Sequence, residues 1–171
     1  GPTRRNAPLY GPPGIAYVYF NYGMHYLVNA VTEAEGRPAA VLMRALEPLE
    51  GIAAMARRRA KPDTGSRFSP APQKTDSRCR FSLADLCRGP GNLTRALGID
   101  LGQNHADLTA GALVIEDHGV RPDGLDWSPR IGIRVGTDRD WRCCWAGHAG
   151  VSGLRARAGA RPSVSRRPRR R

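Results

Sequence analysis

The stretch IAYVYFNYGMHYLVNAV (15–31) carries the strongest structural signal in this chain. It contains two runs rich in Tyr, Val and Phe, at Ile15–Asn21 and Tyr26–Val31, joined by the short sequence YGM (22–24). Aromatic and β-branched residues favour strands, and glycine favours a tight turn between them. The stretch therefore predicts a β-hairpin.

The aromatic residues of this hairpin are predicted to divide between two faces. Because side chains alternate along a strand, Tyr17 and Tyr19 should share one face, and Val18 and Phe20 should share the core face. A large side chain at the tip, such as Tyr22, cannot be buried by its own hairpin. Two interpretations of the tyrosine face stay open at this point: a surface that stacks on an extruded nucleic-acid base, or ordinary packing against a neighbouring element.

The elements that follow the hairpin extend it into a small sheet with helices. Residues 1–14 are rich in Pro and Gly and predict a loop. The apolar run Ala39–Leu46 predicts a third, buried strand. A helix is predicted to begin at Glu47-Pro48, because proline suits the first helical position.

The second half of the chain predicts one more helix and two more strands. The sequence GPGNLTRAL within Leu83–Ile99 predicts a turn leading into a short helix, and Ala112–Glu116 and Arg130–Val135 predict strands. From Trp141 onward no regular pattern continues. The fold class predicted is a single α+β domain with a curved antiparallel β-sheet, a protruding β-hairpin and peripheral helices.

Charge and composition divide the chain into a folded part and a tail. Residues 1–153 are predicted to form the domain, with the Ser- and Pro-rich residues 62–82 as an inserted loop. Eight of the twelve net positive charges come from arginines of residues 154–171, which contain no acidic residue. The tail therefore predicts disorder, and the domain itself carries only +4. The tail is interpreted either as a basic arm on DNA or as read-through or out-of-frame sequence.

The cysteine positions and apolar runs bear on metal binding and location. The spacing of the four cysteines, at 79, 87, 143 and 144, matches no common zinc pattern, so no metal site is predicted. No apolar run is long enough to span a membrane, and no signal peptide is evident. These observations predict a cytoplasmic protein that does not bind membranes.

Two long strings, YVYFNYGMHYLVN (17–29) and VLMRALEPLEG (41–51), resemble the alkyladenine (3-methyladenine) DNA glycosylase family. Shorter strings, GPTRRNA, LCRGPGNLTRALGI and PRIGI, follow the order of that family. The resemblance implies base-excision repair: a monomer that flips an alkylated purine out of double-stranded DNA and hydrolyses its N-glycosidic bond with an activated water. It implies no metal and no cofactor, and association with the nucleoid when the protein is on DNA.

The resemblance also assigns roles to residues that bind DNA and the flipped base. Tyr22 matches the tyrosine that intercalates where the nucleotide has left the duplex. Tyr19 and Leu42 match walls of the base pocket, and Asn29 matches the residue that crowds the exocyclic amine of normal guanine. The further DNA contacts that the resemblance implies are Thr3, Arg4, Gly23 and Met24.

Catalytic roles follow from the same resemblance. Arg44 matches the arginine that helps hold the attacking water, and Ile133 matches the position whose backbone carbonyl holds it too. Without the resemblance, Arg44 would be interpreted as forming a salt bridge to Glu47 or Glu50. The family's catalytic glutamate belongs to a V-E-T-E-A-Y-type motif that precedes the matched region, so the general base is expected to be absent from this chain.

This expectation leaves alternatives to an active enzyme. The chain could be a non-catalytic damaged-DNA-binding remnant or a truncated reading frame, or a basic RNA-binding protein that acts through its tail. The sequence WRCCWAGHAGVS (141–152) also departs from the family's aromatic-rich R-F-Y-V strand. The packing of the last strand is therefore in doubt.

Overall fold

A computed structural model of the chain describes residues 1–60 and 82–151. The hairpin consists of β1 (Ala16–Asn21) and β2 (His25–Val31), and the short strand β3 (Ala40–Leu42) pairs with β2. All pairings are antiparallel, in the order β1-β2-β3. The predicted hairpin and third strand are thus confirmed, although β3 is shorter than expected.

Helices and a second pair of strands complete the described part of the chain. The longest helices are α1 (Ile52–Ala60) and α3 (Pro90–Leu97), with the single turn α2 (Leu83–Leu86) between them. Two 3₁₀ turns occur, at Ala7–Tyr10 within the predicted N-terminal loop and at Leu101–Gln103. The strands β4 (Leu125–Ser128) and β5 (Arg142–Trp145) form a separate antiparallel ribbon. The chain is an α+β protein, as the sequence predicts.

The bounds of α3 follow from its sequence. Gly89 precedes it with a φ of 95°, Pro90 occupies its first position, and Gly98 ends it in the left-handed conformation with a φ of 75°. Proline at the start and glycine just past the end are the residues that such helix termini favour. At Gly91 the helix approaches the hairpin so closely that an added Cβ would lie 2.7 Å from Cγ of His25. Glycine at this position therefore sets how near α3 can lie to β2.

The core lies between the even-numbered face of the hairpin and the helices. Its buried members come from the hairpin, from α2 and α3, and from the segments that follow the helices: Ala16, Val18, Val28, Leu86, Cys87, Leu93, Ala96, Ile99 and Leu108. Val18 is on this face, as the alternation predicts, but Phe20 is not part of the core. Phe20 lies beside the hairpin tip, remains 40% exposed, and packs on Tyr26 with ring centroids 5.0 Å apart.

The outer edge of β1 is covered by the chain that follows the second 3₁₀ turn. Oδ1 of Asn104 accepts a hydrogen bond from the backbone N–H of Val18 at 2.9 Å. Ala16 donates to the carbonyl of Ala106 and accepts from the N–H of His105, both at 2.8 Å. The outward polar groups at the start of β1 are therefore bonded within the chain.

Strand β3 ends earlier than the predicted Ala39–Leu46, because the next carbonyl of β2 already accepts a hydrogen bond from a side chain of α3. Met43 still donates to the carbonyl of Val28 at 3.1 Å. The next carbonyl of β2 on that side belongs to Tyr26, and it accepts a hydrogen bond from Oγ1 of Thr94 in α3 at 2.8 Å. Ala45 then forms an isolated bridge with Arg88.

The prediction that a helix begins at Glu47-Pro48 is wrong. Helix α1 begins at Ile52, and Gly51 just before it has a φ of 68°. This conformation is not helical, but the carbonyl of Gly51 accepts from the N–H groups of Ala54 and Met55 and so opens the helix. Pro48 is instead buried in the connection from β3.

The strand predictions for Ala112–Glu116 and Arg130–Val135 are also wrong. Gly132 and Gly136 have φ values of 80° and 70°, which turn the second segment out of an extended path. In the first segment Ile115 donates a single backbone bond to the carbonyl of Leu108, at 2.8 Å, and no strand forms. Neither β4 nor β5 is predicted by the sequence, and β5 lies in the part where no regular pattern continues.

Two predictions concern parts of the chain that are not described. The inserted loop at 62–82 lies outside the described residues except for Ser82, and so does the arginine-rich tail at 154–171. In residues 1–60 and 82–151, none of the helices is both long and apolar enough to cross a membrane.

Candidate functional site

A cavity of about 560 Å³ opens between the odd-numbered face of the hairpin and the N-terminal residues. Polar groups and tyrosine rings form much of its wall, with proline and alanine along one rim. The lining residues are Thr3, Arg5, Asn6, Leu9, Tyr17, Tyr19, Asn21, Asn29, Pro38, Ala39 and Ala40. Arg5 is the only ionised side chain in this described lining, which holds no carboxylate.

Tyr17 and Tyr19 form an aromatic wall of this cavity. Their ring centroids lie 5.0 Å apart, and Tyr17 is buried while Tyr19 is half-buried. Burial raises the pKa of both phenols, and the nearby Arg5 opposes the rise in each. Since the pKa of an ordinary tyrosine is already about 10, both rings are neutral at physiological pH and keep their hydroxyl hydrogens as donors.

Arg5 is held against this wall. Its guanidinium carbon lies 5.1 Å from the centroid of the Tyr19 ring, and Nη2 donates to the carbonyl of Phe20 at 3.2 Å. The contact with the ring face has the geometry of a cation–π interaction. A positive charge is thus held beside the aromatic wall of the cavity.

Asn29 lines the cavity from β2, the central strand of the sheet. It is buried, opposite Tyr17 on β1 and opposite Leu42 on β3. Its Nδ2 donates to the carbonyl of Tyr17 at 3.1 Å, which fixes the orientation of the amide. Leu42 is half-buried but is not one of the lining residues.

The hairpin tip carries a tyrosine in an unusual backbone conformation. Tyr22 has a φ of 50°, Gly23 a φ of 68°, and the N–H of Met24 donates to the carbonyl of Asn21 at 3.1 Å. Both central residues of the turn therefore have positive φ, a conformation that suits glycine and is rare for a bulky residue. Tyr22 is nevertheless 83% exposed, and its phenol is close enough to Tyr19 to contribute to the raised pKa of that residue.

Arg44 and Ile133 lie outside the cavity lining. Arg44 is half-buried just beyond β3, and its pKa is lowered by burial first and by the neighbouring Arg142 second, while Cys144 opposes this. The carboxylate of Glu47 faces His148, 3.4 Å from Nε2, rather than Arg44. Ile133 lies in the irregular segment between β4 and β5, so the structure does not bring these two residues together with the tyrosines.

Of the two N-terminal residues that were predicted to contact DNA, one lines the cavity and the other does not. Thr3 lines the cavity, and its Oγ1 donates to Oδ1 of Asn6 at 2.9 Å. Arg4 is exposed and is not part of the lining. Tyr17, Arg5 and Asn6 also line the cavity, although none of them was predicted as a pocket residue. The predicted alternation places Tyr17 beside Tyr19 and so could have found it, whereas nothing in the sequence folds residues 3–9 back over the hairpin.

Comparison with known proteins identifies the class to which this fold and cavity belong. A family model described as methylpurine-DNA glycosylase matches residues 1–149. A relative from Burkholderia lata, named "Putative 3-methyladenine DNA glycosylase", is 45% identical over 156 residues, which cover 90% of this chain and 67% of the relative. Proteins of the same name from Rhodopseudomonas palustris and Rubrobacter xylanophilus are each 42% identical, covering 83% of this chain and 59% and 64% of theirs.

The chain therefore belongs to the methylpurine-DNA glycosylase family, which confirms the resemblance seen in the two strings of the hairpin and β3. It spans about two thirds of the length of these relatives.

Proposed function

We propose that this chain recognises alkylated purines in duplex DNA and provides the base-binding part of a base-excision DNA glycosylase. One observation carries the proposal. The hairpin whose strands wall a tyrosine-lined cavity also holds an exposed tyrosine, in a strained conformation, at its tip. Strained residues of this kind concentrate at functional sites.

The size and chemistry of the cavity support binding of a single modified base. Its volume of about 560 Å³ lies within the range of roughly 300–1,000 Å³ that is typical of small-molecule sites. Alkylation at a ring nitrogen withdraws electrons from a purine and often gives it a positive charge. The faces of Tyr17 and Tyr19 attract such an electron-poor ring more strongly than a normal base.

Tyr22 is proposed to occupy the space that the flipped nucleotide leaves. Extruding a nucleotide costs a few kcal/mol of stacking and pairing, and an inserted ring recovers part of this cost. The short turn fixes Tyr22 next to Gly23, whose missing side chain leaves room for close approach to a groove. Thr3, Arg4, Gly23 and Met24 are proposed to contact the surrounding DNA.

The reaction proposed for the family site is hydrolysis of the N-glycosidic bond by water, with the modified base as leaving group. Arg44 and the backbone carbonyl of Ile133 are proposed to position that water, and Asn29 and Leu42 to help exclude normal guanine. A carboxylate is needed as the general base. None of the described lining residues carries a carboxylate. The lining residues are therefore proposed to bind the base and not to act as the general base.

The same observation favours a second candidate function: a protein that binds damaged DNA without excising the base. Both candidates predict the same recognition of a flipped purine, and they differ only in release of the base. Release of 3-methyladenine from methylated duplex, measured by chromatography, distinguishes them. We expect little release of the base by the 171-residue chain, because the described cavity lining has no carboxylate. A positioned general base contributes about 10²–10⁴ to the rate of such a reaction.

Truncation of Tyr22 tests the recognition that both candidates share. Tyr22→Ala should weaken binding to a duplex with an abasic site or an alkylated purine by about 1–3 kcal/mol, the range for stacking of a base on an aromatic ring. Binding to intact duplex, which consists of phosphate contacts, should change little. The measurement is a pair of binding curves at one salt concentration, with a melting curve for each variant.

Trp127→Ala is the matched control, because Trp127 is an aromatic residue of β4 that is 61% exposed and does not line the cavity. It should leave the preference for damaged duplex unchanged. Equal losses on damaged and intact duplex by Tyr22→Ala, together with a lowered melting temperature, would make Tyr22 a packing residue and refute the proposal.

A further inference from the structure

The C-terminal ends of helices α1 and α3 lie side by side, and arginine side chains join them. Nη1 of Arg58, in α1, donates to the carbonyl of Ala96, in α3, at 3.0 Å. Nε of Arg95, in α3, donates in return to the carbonyl of Arg58 at 3.2 Å. An added Cβ at Gly98 would lie 3.2 Å from Nε of Arg58, so this side chain lies directly against the end of α3. The positions of both guanidinium groups are therefore defined by the packing of the two helices.

The surface formed by Arg57, Arg58 and Arg95, which we call the arginine corner, is strongly positive. Neither helix contains an acidic residue: α1 has the sequence IAAMARRRA and α3 the sequence PGNLTRAL. The first acidic residue after α3 is Asp100, and its Oδ1 already accepts a hydrogen bond from the N–H of Gly102 at 2.7 Å. Arg57 and Arg58 are exposed, so the positive charge of the corner faces solvent.

Helix capping explains only part of this arrangement. Positive side chains near a helix C-terminus interact favourably with the helix dipole, and the bonds of Arg58 and Arg95 satisfy carbonyls at the helix ends. Arg57 has no such role, because it is exposed and has no hydrogen bond or ion pair within the described part of the chain. The bond to Ala96 also uses only one of the five N–H donors of Arg58. Both side chains can therefore donate to an anion outside the protein.

The arginine corner lies on the helix that packs against the hairpin. At its N-terminal end, α3 contacts the hairpin through Gly91, beside His25, the residue that follows the turn at the tip. Gly98 comes seven residues later, so the corner lies about 10 Å further along the helix, at 1.5 Å per residue. Duplex DNA carries one phosphate charge per about 1.7 Å of its axis. A duplex bound at the tip therefore has phosphates within reach of the corner.

We propose that the arginine corner is a second DNA-binding surface, which holds the phosphate backbone beside the lesion while the hairpin engages the lesion itself. The inference rests on the proposed function, from which it takes duplex DNA as the partner. The two surfaces have different roles. The corner contributes affinity that depends on salt and is the same for damaged and intact duplex, because phosphate contacts do not report on the bases. Tyr22 contributes the preference for damage.

The test measures affinity as a function of salt for the full chain and its variants, on an abasic-site duplex and an intact duplex of the same length. Each phosphate contact contributes about −0.9 to the slope of log K against log salt. Arg57→Gln should therefore flatten the slope by about 0.9, and Arg57→Gln/Arg58→Gln by about 1.8, on both duplexes. Over a fourfold rise in salt, a slope change of about 0.9 alters affinity about three- to fourfold. The ratio of the two affinities should not change.

Three further variants serve as controls. Arg57→Lys keeps the charge and should keep the slope. Arg121→Gln is the matched control, because it removes one charge from an exposed arginine that pairs with Asp117, away from both helices, and it should leave the slope unchanged. Tyr22→Ala should show the opposite pattern, a changed ratio with an unchanged slope. A melting curve accompanies each variant, and Arg57→Gln decides the question if loss of the Arg58 bond prevents folding.

A second measurement locates the contact on the DNA. The duplex with the abasic site is shortened to a few base pairs on one side of the lesion or on the other. One of the two shortened duplexes should bind the unchanged chain more weakly. On that duplex the unchanged chain and Arg57→Gln/Arg58→Gln should bind alike, because the flank that the corner holds is missing.

Two results would overturn the inference. If the arginine variants change the slope no more than Arg121→Gln does, the corner does not bind DNA, and the proposed function stands as long as Tyr22→Ala lowers the preference for damage. If the slope flattens but the difference persists on both shortened duplexes, the arginines act only through the overall charge of the chain. If the unchanged chain does not prefer damaged duplex, the proposed function fails, whereas a flattened slope together with the loss of the difference on one shortened duplex would still assign the corner to the DNA backbone.

Discussion

The chain up to Leu108 supplies every buried hydrophobic residue in the described part of the structure, whereas Thr109–Val151 leaves most of its large apolar residues exposed. The first region, residues 1–60 and 82–108, has a helix packed on a three-stranded sheet. The second has a two-stranded ribbon in which Arg142 is the one residue classed as buried. The exposed residues of the second region are Val114, Ile115, Val120, Leu125, Trp127, Ile131, Ile133, Val135, Trp141 and Trp145.

The base-binding part of the proposed site and the residues proposed to position the water differ in the region on which they depend. The cavity and the hairpin tip belong entirely to the first region and rest on its core. Arg44 takes its charged neighbour Arg142 from the second region, and Ile133 also lies there. A two-stranded ribbon with few buried side chains contributes little stability of its own. Binding of a base is therefore expected to tolerate partial unfolding of the second region better than positioning of the water does.

The largest difference in stability should come from truncating one leucine to alanine in each region. Leu93 of α3 is fully buried, so Leu93→Ala should lower the free energy of unfolding by about 2–5 kcal/mol through lost burial and a cavity. Leu125 of β4 is 51% exposed, and Leu125→Ala should change it by about 0.5 kcal/mol or less. Urea denaturation of the two variants checks this. Similar losses would mean that the second region has a core of its own.

Thiol labelling compares the regions without a mutation. Cys87 is buried in the core, while Cys143 of β5 is exposed. Iodoacetamide should modify Cys143 more than about a hundredfold faster, because Cys87 reacts only after the core opens. Burial raises the pKa of both thiols, so labelling of Cys143 should still increase with pH above the ordinary thiol range. Peptide mass spectrometry measures the two rates, and equal rates would contradict the burial of Cys87 in the core.

A smaller effect is expected from adding a methyl group at a glycine in each region. In Gly91→Ala the new Cβ would lie 2.7 Å from Cγ of His25, so the variant should lose about 1–3 kcal/mol of stability. Gly124→Ala brings its Cβ only to 3.5 Å from Ala146 and should be nearly neutral.

The double variant Gly91→Ala/His25→Ala provides the control for this contact. It should recover part of the loss, because the opposing ring is gone. Unfolding in urea measures all four chains. A Gly91→Ala variant as stable as the unchanged chain would show that α3 can shift away from β2.

The sequence predicts the hairpin and its alternation well because the information is local. Two strand-forming runs meet at a tyrosine–glycine tip, and side-chain direction follows from the period of a strand. The end of β3 could not be predicted, since it depends on Thr94, which comes from a helix about fifty residues away and binds the carbonyl that β3 would have used. Arg5 at the cavity was missed for the same reason, because only the folded chain lays residues 3–9 over the hairpin.

The errors in the second region have a different cause. Arg130–Val135 has the composition of a strand, but the positive φ values of Gly132 and Gly136 break it. The strand β5 has few strand-forming residues, and its pairing with β4 spans a sequence separation that no local pattern reports. Where burial is slight, composition predicts structure poorly, because packing decides which of several weak preferences prevails.

The covered edge of β1 has a consequence for how copies of the chain meet. An open edge strand with apolar faces invites pairing with the edge of another molecule, which is a common start of aggregation. Here Asn104 and Ala106 already occupy the N–H groups of Val18 and Ala16 that a second chain would need. The other edge of the sheet, β3, is only three residues long. The sheet that carries the proposed reader of DNA damage therefore exposes a strained, aromatic hairpin tip to solvent but leaves neighbouring copies little strand edge to pair with.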